Sequence, residues 1–219
     1  IGNIYVCGGS GESNNNGAAF LLKYNSQGDT IWVRRNSPTG YHAGFNSIKV
    51  DNSNNIFAAG NYDTVRFIPP IQSYHGFTVK YDTSGSILWL QRYNTGISDQ
   101  FEKLGLDNVG NVYVAGNTRS STNDSKFLTV KYSALGLQQW VRLYSSPIVT
   151  SGNGIRELSI GANNNILVAG ITYDNIGNSY LTTINYETNG DSLWVRNYGS
   201  INSTGSIAMA TDIFSNTYL

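Results

Sequence analysis

Short stretches in which apolar and polar residues alternate recur along the chain. Ile48 and Val50 alternate with Ser47 and Lys49, which is the period-two pattern of a strand that buries one face. The longest apolar stretches run for only five or six residues, as at 166–170. No window has the spacing of a long amphipathic helix. The pattern therefore predicts an all-β fold of short strands.

Four tryptophans mark a repeated unit. They follow one another at spacings of 57, 51 and 54 residues. In each unit a tyrosine lies eight residues before the tryptophan, and a glycine lies four residues before it. The four sets are Tyr24, Gly28 and Trp32; Tyr81, Gly85 and Trp89; Tyr132, Gly136 and Trp140; and Tyr186, Gly190 and Trp194. A recurring period of this length is typical of repeat architectures.

A second signature runs in step with the first, in which an asparagine opens a short apolar run that ends in glycine. Complete copies lie at residues 3–8, 55–60, 111–116 and 165–170. A fifth copy begins at Asn216. An aspartate lies four residues before the asparagine at Asp51, Asp107 and Asp212, whereas Gly161 takes that place once. The two signatures together place several elements in every unit.

Each unit is predicted to contain four strands, A to D. In the second unit these are residues 46–51, 55–60, 77–81 and 87–93. The A–B turn at 51–55 and the C–D turn at 82–85 are rich in Asp, Asn, Ser and Gly. These residues accept a positive φ or cap their own backbone, which closes tight hairpins. A four-stranded antiparallel sheet repeated without helices is the blade of a β-propeller.

We interpret residues 1–219 as one partial β-propeller. The repeats cover approximately 1–45, 46–101, 102–155 and 156–206, with 207–219 starting a fifth. Because the chain begins in a B strand and ends with an A strand and the start of a B strand, we expect an arc of a larger propeller. About four blades would then be present out of roughly six to eight. The recurrent Tyr, Gly and Trp residues are interpreted as packing residues between blades rather than as a cofactor-stacking site.

Residues 75–121 resemble the bacterial secreted β-propeller repeat, often called the SBBP repeat, and more distantly the NHL propellers. The motifs that carry the resemblance are Tyr-x-x-x-Gly-x-x-x-Trp and the Asp-to-Asn turn that precedes the apolar run ending in Gly. The resemblance implies an exported, often surface-attached bacterial protein, frequently a module of a longer chain. It implies no catalytic residue. Departures from the pattern occur at Gly161, Asn36 and Asn185.

Composition narrows the function classes. Only 13% of the residues are charged, and the 14 basic and 14 acidic residues give a net charge of zero. With no basic run, this argues against nucleic acid as a partner. No stretch is long and apolar enough to enter a membrane. Cys7 is the single cysteine, so an internal disulfide framework and a four-cysteine zinc site are excluded.

A candidate site is predicted at the end of the blades that carries the B–C and D–A connections, because these connections vary in length and content. The most unusual are the proline-containing B–C loop at 61–75 and the D–A loop at 37–45. The possible partner-binding residues are Tyr41, His42, Tyr62, Asp63, Arg66, Phe67, Tyr74 and His75. The B–C loop either packs on a neighbouring blade or presents a partner-binding patch. The two histidines lack the spacing of a metal site, so no catalytic, cofactor or metal residue is assigned.

Two function classes remain. The first is a non-catalytic module, secreted or on the cell surface, that binds a protein or glycan or serves as a scaffold beside other domains of a longer chain. The alternative is part of a carbohydrate-active or other hydrolytic enzyme whose catalytic residues lie in blades outside this chain. A glycosidase needs two carboxylates at a fixed separation. No such pairing is evident among the glutamates Glu12, Glu102, Glu157 and Glu187. Glu102 and Glu157 lie near the starts of equivalent A strands, where a solvated rim is expected.

Overall fold

The computed structural model describes residues 2–10, 17–37, 42–67, 70–95, 97–120, 125–145, 154–174, 176–200, 207–212 and 216–218. Side chains at 65–67, 70–72, 200 and 217 are not among them. All regular elements of this part of the chain are strands. No helix of the described residues is long and apolar enough to cross a membrane. The chain divides into two compact units, Ile1–Phe101 and Glu102–Leu219.

The first unit contains one seven-stranded sheet with the order β3-β2-β1-β4-β5-β6-β7. The strands are β1 (Ile4–Gly9), β2 (Ala19–Tyr24), β3 (Thr30–Asn36), β4 (Ala43–Val50), β5 (Ile56–Phe67), β6 (Pro70–Tyr81) and β7 (Ile87–Tyr93). β1 to β3 are the B, C and D strands of the first repeat, and β4 to β7 are the four strands of the second. Within the sheet, β1 of the first repeat pairs with β4 of the second at Gly9 and Gly44.

The second unit contains two four-stranded sheets, β11-β10-β9-β8 and β12-β13-β14-β15, and a two-stranded one. The first comprises β8 (Ser98–Leu106, which begins in the last residues of the first unit), β9 (Val112–Arg119), β10 (Ser125–Tyr132) and β11 (Gln138–Tyr144). The second comprises β12 (Gly154–Ile160), β13 (Ile166–Tyr173), β14 (Ser179–Tyr186) and β15 (Ser192–Ser200). β16 (Ala210–Thr211) pairs with β17 (Thr217–Tyr218) as the A–B hairpin of a fifth repeat. The antiparallel four-stranded repeat is confirmed, whereas the number of blades in a complete ring stays a prediction.

The A–B turns are closed by an aspartate side chain. Asp51 Oδ1 accepts hydrogen bonds from the backbone N–H groups of Ser53 at 2.9 Å and Asn55 at 2.8 Å. Its Oδ2 accepts a third from Asn55 Nδ2 at 2.8 Å. Asp107 and Asp212 hold the asparagine four residues later in the same way. This geometry explains why Asp and Asn recur four residues apart.

The C–D turns place their glycines in the left-handed region, as their composition predicted. The φ values are 91° at Gly28, 82° at Gly85, 84° at Gly136 and 89° at Gly190. A side chain with a Cβ is strained at such an angle. The turn glycine is therefore required by backbone geometry in all four repeats.

We expect Gly136→Val to lower the free energy of unfolding by about 1–3 kcal/mol, because a β-branched residue in this region is strained. Denaturant unfolding followed by tryptophan fluorescence measures the change. Leu135→Val is the control, since Leu135 precedes the glycine in the same turn and is 79% exposed. A Gly136→Val protein that unfolds together with the control would contradict the requirement for glycine.

Each unit has its own hydrophobic core, formed by the inward residues of its strands. In the first unit the core includes Leu21, Phe45, Ile56, Phe77 and Tyr81, and in the second it includes Tyr113, Phe127, Ile155, Val168 and Tyr186. Three of the repeat tyrosines, Tyr81, Tyr132 and Tyr186, are buried, with at most 4% of each exposed. Burial raises the pKa of Tyr81 and Tyr186 to about 12.

A set of three side chains in the first repeat holds the C–D turn of the second. Lys23 Nζ and Trp32 Nε1 both donate to the carbonyl oxygen of Thr83, at 3.0 and 3.4 Å. Arg34 Nε donates to the carbonyl oxygen of Gly85 at 2.9 Å. We call this Lys–Trp–Arg set a turn socket. It binds main-chain carbonyls, so it recognises the shape of the turn rather than its side chains.

The third repeat holds the fourth by the same bonds. Lys131 Nζ and Trp140 Nε1 donate to Thr188 O at 2.7 and 3.0 Å. Arg142 Nε donates to Gly190 O at 2.6 Å. The arginine two residues after the tryptophan was not singled out from the sequence, although its recurrence could have identified it.

The glycine that ends the apolar run of each B strand has a different role from the turn glycine. Gly60 pairs with Phe45, and Gly170 pairs with Ile155, each beside a bulge in the A strand. A Cβ on Gly170 would lie 2.5 Å from the carbonyl oxygen of Gly154. The bulged A strand thus approaches the B strand so closely that no side chain fits between them.

Candidate interaction site

The B–C connection of the second repeat is a long β-hairpin rather than a loop. The β5–β6 ladder continues from Asn61 opposite Gly76 to Phe67 opposite Pro70. The sequence prediction of a loop at 61–75 is therefore wrong. The prolines favoured a loop, but Pro70 is the first residue of its strand, where the missing N–H costs least. The B and C strands of the second repeat thus stay paired beyond the predicted end of strand B at residue 60, as far as Phe67 and Pro70.

Aromatic packing fixes the base of this hairpin. The rings of Tyr62 and His75 lie 5.4 Å apart, and those of Tyr62 and Phe77 lie 6.0 Å apart. His75 Nε2 lies 3.2 Å from Thr64 Oγ1. Tyr62 and His75 are only 4% and 5% exposed. Both are among the predicted partner-binding residues, and in the structure their buried rings pack at the base of the hairpin.

The other candidate residues differ in their burial, and some lie outside the described set. Asp63 is 2% exposed, and its N–H donates to the carbonyl oxygen of His42 at 2.9 Å. His42 and Tyr74 are half-buried. Arg66 and Phe67 lie in β5 near the hairpin tip, with side chains outside the described set, and Tyr41 lies outside the described residues. The structure therefore places the hairpin beside the D–A connection at His42.

The charges of a buried carboxyl group and of an arginine act on Tyr62 at the hairpin base. Burial raises the pKa of Tyr62, the charge of Arg92 opposes this, and the charge of Asp99 adds to it. Asp99 is fully buried, and its Oδ2 accepts the N–H of Thr95 at 2.7 Å. Among the described residues, no group of three or more His, Cys, Asp or Glu is placed to hold a metal ion. The described residues at the base form a packed support for the hairpin.

The B–C connection of the fourth repeat is a tight turn of the A–B type. Asp174 accepts hydrogen bonds from the N–H and Nδ2 of Asn178, both at 2.8 Å, and from the hydroxyl of Tyr180 at 3.1 Å. Gly177 has a φ of 90°. The B–C connections were predicted to be variable, but this one repeats the Asp-to-Asn turn. This connection is thus a regular turn, unlike that of the second repeat.

A charged cluster lies on the A strands of the second unit. Lys103 Nζ and Glu157 Oε1 form an ion pair at 2.9 Å. Burial raises the pKa of Glu102, against the opposing charges of Arg156 and Lys103. The expectation of a solvated rim is therefore wrong in part, because Glu102 is half-buried and Glu157 is held by a lysine. Glu12 lies outside the described residues.

We expect Glu102→Gln to be more stable than the parent at neutral pH and equal to it in acid. A carboxyl group with a raised pKa in the folded state destabilises the fold when it ionises. The stability difference should therefore grow as the pH rises above about 4, where glutamate ionises in an unfolded chain. Thermal unfolding from acid to neutral pH measures it. Parallel stability curves for the two proteins would contradict the buried position of Glu102.

A cavity of about 270 Å³ lies between the third and fourth repeats. Arg142, Tyr144, Tyr186 and Asp191 are among its lining residues. It is smaller than typical ligand pockets, which hold about 300–1,000 Å³. Its wall includes the turn-socket arginine, so it belongs to the packing between repeats.

Comparison with known proteins supports the coarse assignment. No family model matches the chain. Over 80% of its length the chain is 25% identical to an uncharacterized WD repeat-containing protein of Acanthamoeba polyphaga mimivirus. The chain spans 17% of the length of that protein. WD repeats are four-stranded propeller blades, so the match agrees with propeller-type repeats, while membership of the SBBP family stays a prediction.

Proposed function

We propose that the protein is a non-catalytic binding module, secreted or on the cell surface, whose β5–β6 hairpin recognises a protein or glycan. The observation that carries the proposal is the hairpin itself. It is the feature by which the second repeat departs most from the common pattern. A binding site belongs where repeats differ, since the shared residues are used for packing.

The construction of the hairpin supports this function. Its base is fixed by the Tyr62, His75 and Phe77 rings and by the backbone bond from Asp63 to His42. A strand pair whose base is already packed before binding loses less conformational entropy there when it meets a partner. Arg66 and Phe67 lie towards its tip, and Arg and aromatic side chains are enriched among residues that dominate binding energy.

The location rests on the sequence resemblance to exported bacterial repeats. Net charge is zero, which favours a protein or an uncharged glycan over nucleic acid. Other domains of a longer chain are proposed as further partners. A scaffold role in such a chain is compatible with the same fold.

Glu102 favours a hydrolytic enzyme as the second candidate. Its half-buried carboxyl group has a raised pKa, and general acids require this property. Glu157 is on the neighbouring A strand but is paired with Lys103. In this alternative further catalytic residues lie in blades outside this chain.

Binding and turnover measured on the same samples distinguish the two functions. The protein is tested on a glycan array and on immobilised surface-protein extracts, and in parallel on chromogenic glycosides and esters. We expect binding without turnover, and loss of that binding in the Arg66→Ala, Phe67→Ala double variant. The matched control is Lys49→Ala with Leu88→Ala, which removes an exposed cation and an exposed apolar residue from the same unit.

Two results would overturn the proposal. Binding that survives in the Arg66→Ala, Phe67→Ala variant would separate recognition from the hairpin. Turnover that Glu102→Gln abolishes would establish the enzyme instead. Folding of each variant is checked by its thermal unfolding.

A further inference from the structure

The β5–β6 hairpin has one strand edge beside which the sheet ends. β7 pairs with β6 in the blade, but this pairing begins only at Gly76, opposite Tyr93. β6 itself starts six residues earlier and is paired with β5 from Pro70 onwards. Asn94 and Thr95, with which the chain leaves β7, are exposed. Among the described residues, positions 70–74 of β6 therefore have β5 on one side and no strand on the other. We call this side of residues 70–74 the open edge.

One hydrogen bond fixes the direction of the backbone groups in the hairpin. The N–H of Asp63 donates to the carbonyl oxygen of His42, the residue before β4, at 2.9 Å. In a strand, the N–H and C=O of one residue point to the same side, and those of the next residue point to the other side. The backbone groups of Asp63 thus point towards β4, and those of Thr64 point towards β6.

The same alternation applies along β6. Ser73 lies opposite Thr64, so its backbone groups point towards β5. Those of Gln72 and Tyr74 point the other way, towards the open edge. Pro70 also faces this edge, where its missing N–H interrupts no bond to β5. The open edge therefore presents the N–H and C=O groups of Gln72 and Tyr74 together with the carbonyl oxygen of Pro70.

The open edge differs in charge from the outer edges of the blades. The D strands at those edges each carry an arginine, at Arg34 in β3, Arg92 in β7, Arg142 in β11 and Arg196 in β15. Residues 70–74 are Pro-Ile-Gln-Ser-Tyr and carry no charge. Charged side chains on an edge strand hinder its pairing with another chain. Apart from Pro70 at the tip, the open edge lacks this protection.

We propose that the open edge binds an extended segment of a partner protein, which adds to the sheet as a strand beside β6. The inference rests on the proposed function, since it assigns a protein rather than a glycan to the same hairpin. A row of alternating N–H and C=O groups is complementary to the backbone of an extended chain. Such a segment brings only its own backbone to the edge, whereas a second folded copy would need a matching surface around it.

Tyr74 determines which side chains the added strand should carry. Residues directly opposite each other in paired strands have their side chains on the same face of the sheet. Tyr74 is half-buried, so its side chain has surface left for a neighbour. Aromatic and β-branched residues pair favourably with an aromatic residue across strands. We therefore expect the partner segment to place such a residue opposite Tyr74.

Selected peptides test the proposal. The intact chain is used to select binders from a phage-displayed library of random dodecapeptides, and the selected peptides are synthesised for titration. We expect Gln72→Pro to raise their dissociation constants about tenfold or more, because it removes an N–H from the open edge and places a ring against the added strand. Gln72→Ala is the matched control, since it removes the same side chain and keeps the N–H. It should bind as the parent does, and all three proteins should unfold at the same temperature.

Amide hydrogen exchange of the parent chain tests the geometry without a variant. In the free protein, the N–H groups of Gln72 and Tyr74 should exchange faster than that of Ser73, which is bonded to β5. A bound peptide should slow the exchange at Gln72 and Tyr74, because their N–H groups then donate to its backbone. Exchange at these two residues that the peptide leaves unchanged would overturn the proposal.

The remaining outcomes separate this inference from the proposed function. Peptide binding that Gln72→Pro retains but the Arg66→Ala, Phe67→Ala variant loses would overturn strand addition and leave the hairpin as the binding site. Binding to a glycan array without binding of any peptide would have the same meaning. Sedimentation velocity of the protein alone completes the set, since self-association that Gln72→Pro abolishes would assign the open edge to a second copy and overturn the proposal. Absence of binding to peptide, protein and glycan would overturn the proposed function as well.

Discussion

Gly60→Ala is expected to destabilise the protein by about 3 kcal/mol or more, at the upper end of the cost of overpacking. Gly60 ends the apolar run of the B strand β5 and is buried. A Cβ there would overlap the carbonyl oxygen of Gly44 and lie 2.6 Å from the Cα of Phe45. Both are backbone atoms of the bulged A strand, which cannot move aside as a flexible side chain can. Urea unfolding, with its midpoint and slope, measures the loss.

Gly8→Ala is the matched control for this result. Gly8 ends the apolar run of the B strand in the first repeat, at the same place in the pattern, but a Cβ on it would meet nothing within 4 Å. The same substitution should therefore change stability by less than about 0.5 kcal/mol. If both variants lose equal stability, the cost comes from glycine chemistry in general and not from the close approach of the A strand.

Trp140→Ala is expected to cost about 3 kcal/mol, near the lower limit for removing a large core side chain because the indole is only half-buried. Its ring lies 5.9 Å from Tyr113 and 6.2 Å from Tyr186. Its N–H donates to Thr188 O at 3.0 Å. Loss of the ring removes both the packing and the bond to the next repeat. The change is a large share of a typical stability of about 5–15 kcal/mol.

Trp194→Ala provides the comparison. Trp194 has the same place in its repeat, but its indole N–H has no acceptor among the described residues. Its replacement should cost markedly less than that of Trp140. Equal losses would show that the tryptophans act only within their own repeat, and would remove the basis for the turn socket.

The sequence predicts the repeat well because its strands and turns depend on local chemistry. The alternation at Ile48 and Val50, the Asp51 turn and the positive φ of Gly85 all follow from a few neighbouring residues. The A–B hairpin that begins the fifth repeat is likewise predicted from Asp212 and Asn216. The strand, the turns and the hairpin agree with the structure, whereas burial of the alternating face does not reach Val50, which is 40% exposed.

The candidate site is less predictable because it depends on which strands continue in pairs. Residues 61–75 contain two prolines and no regular alternation, so local patterns favour a loop, whereas the pairing of β5 with β6 continues through most of it. For the same reason, the sequence did not predict that the side chains of Tyr62 and His75 are buried. The role of Gly60 was also missed, since only the partner strand shows that a side chain has no room there.

The turn sockets bind carbonyl oxygens, and this has a consequence for how such chains change over time. Thr83 and Ser84 form one bound turn, and Thr188 and Asn189 form another, yet each offers the same row of acceptors. A turn can therefore change its side chains by genetic drift without a compensating change in the socket. A whole repeat can also be duplicated or lost in frame. The repeat that then follows a socket presents the same carbonyl acceptors, provided that its C–D turn has a glycine at the left-handed position.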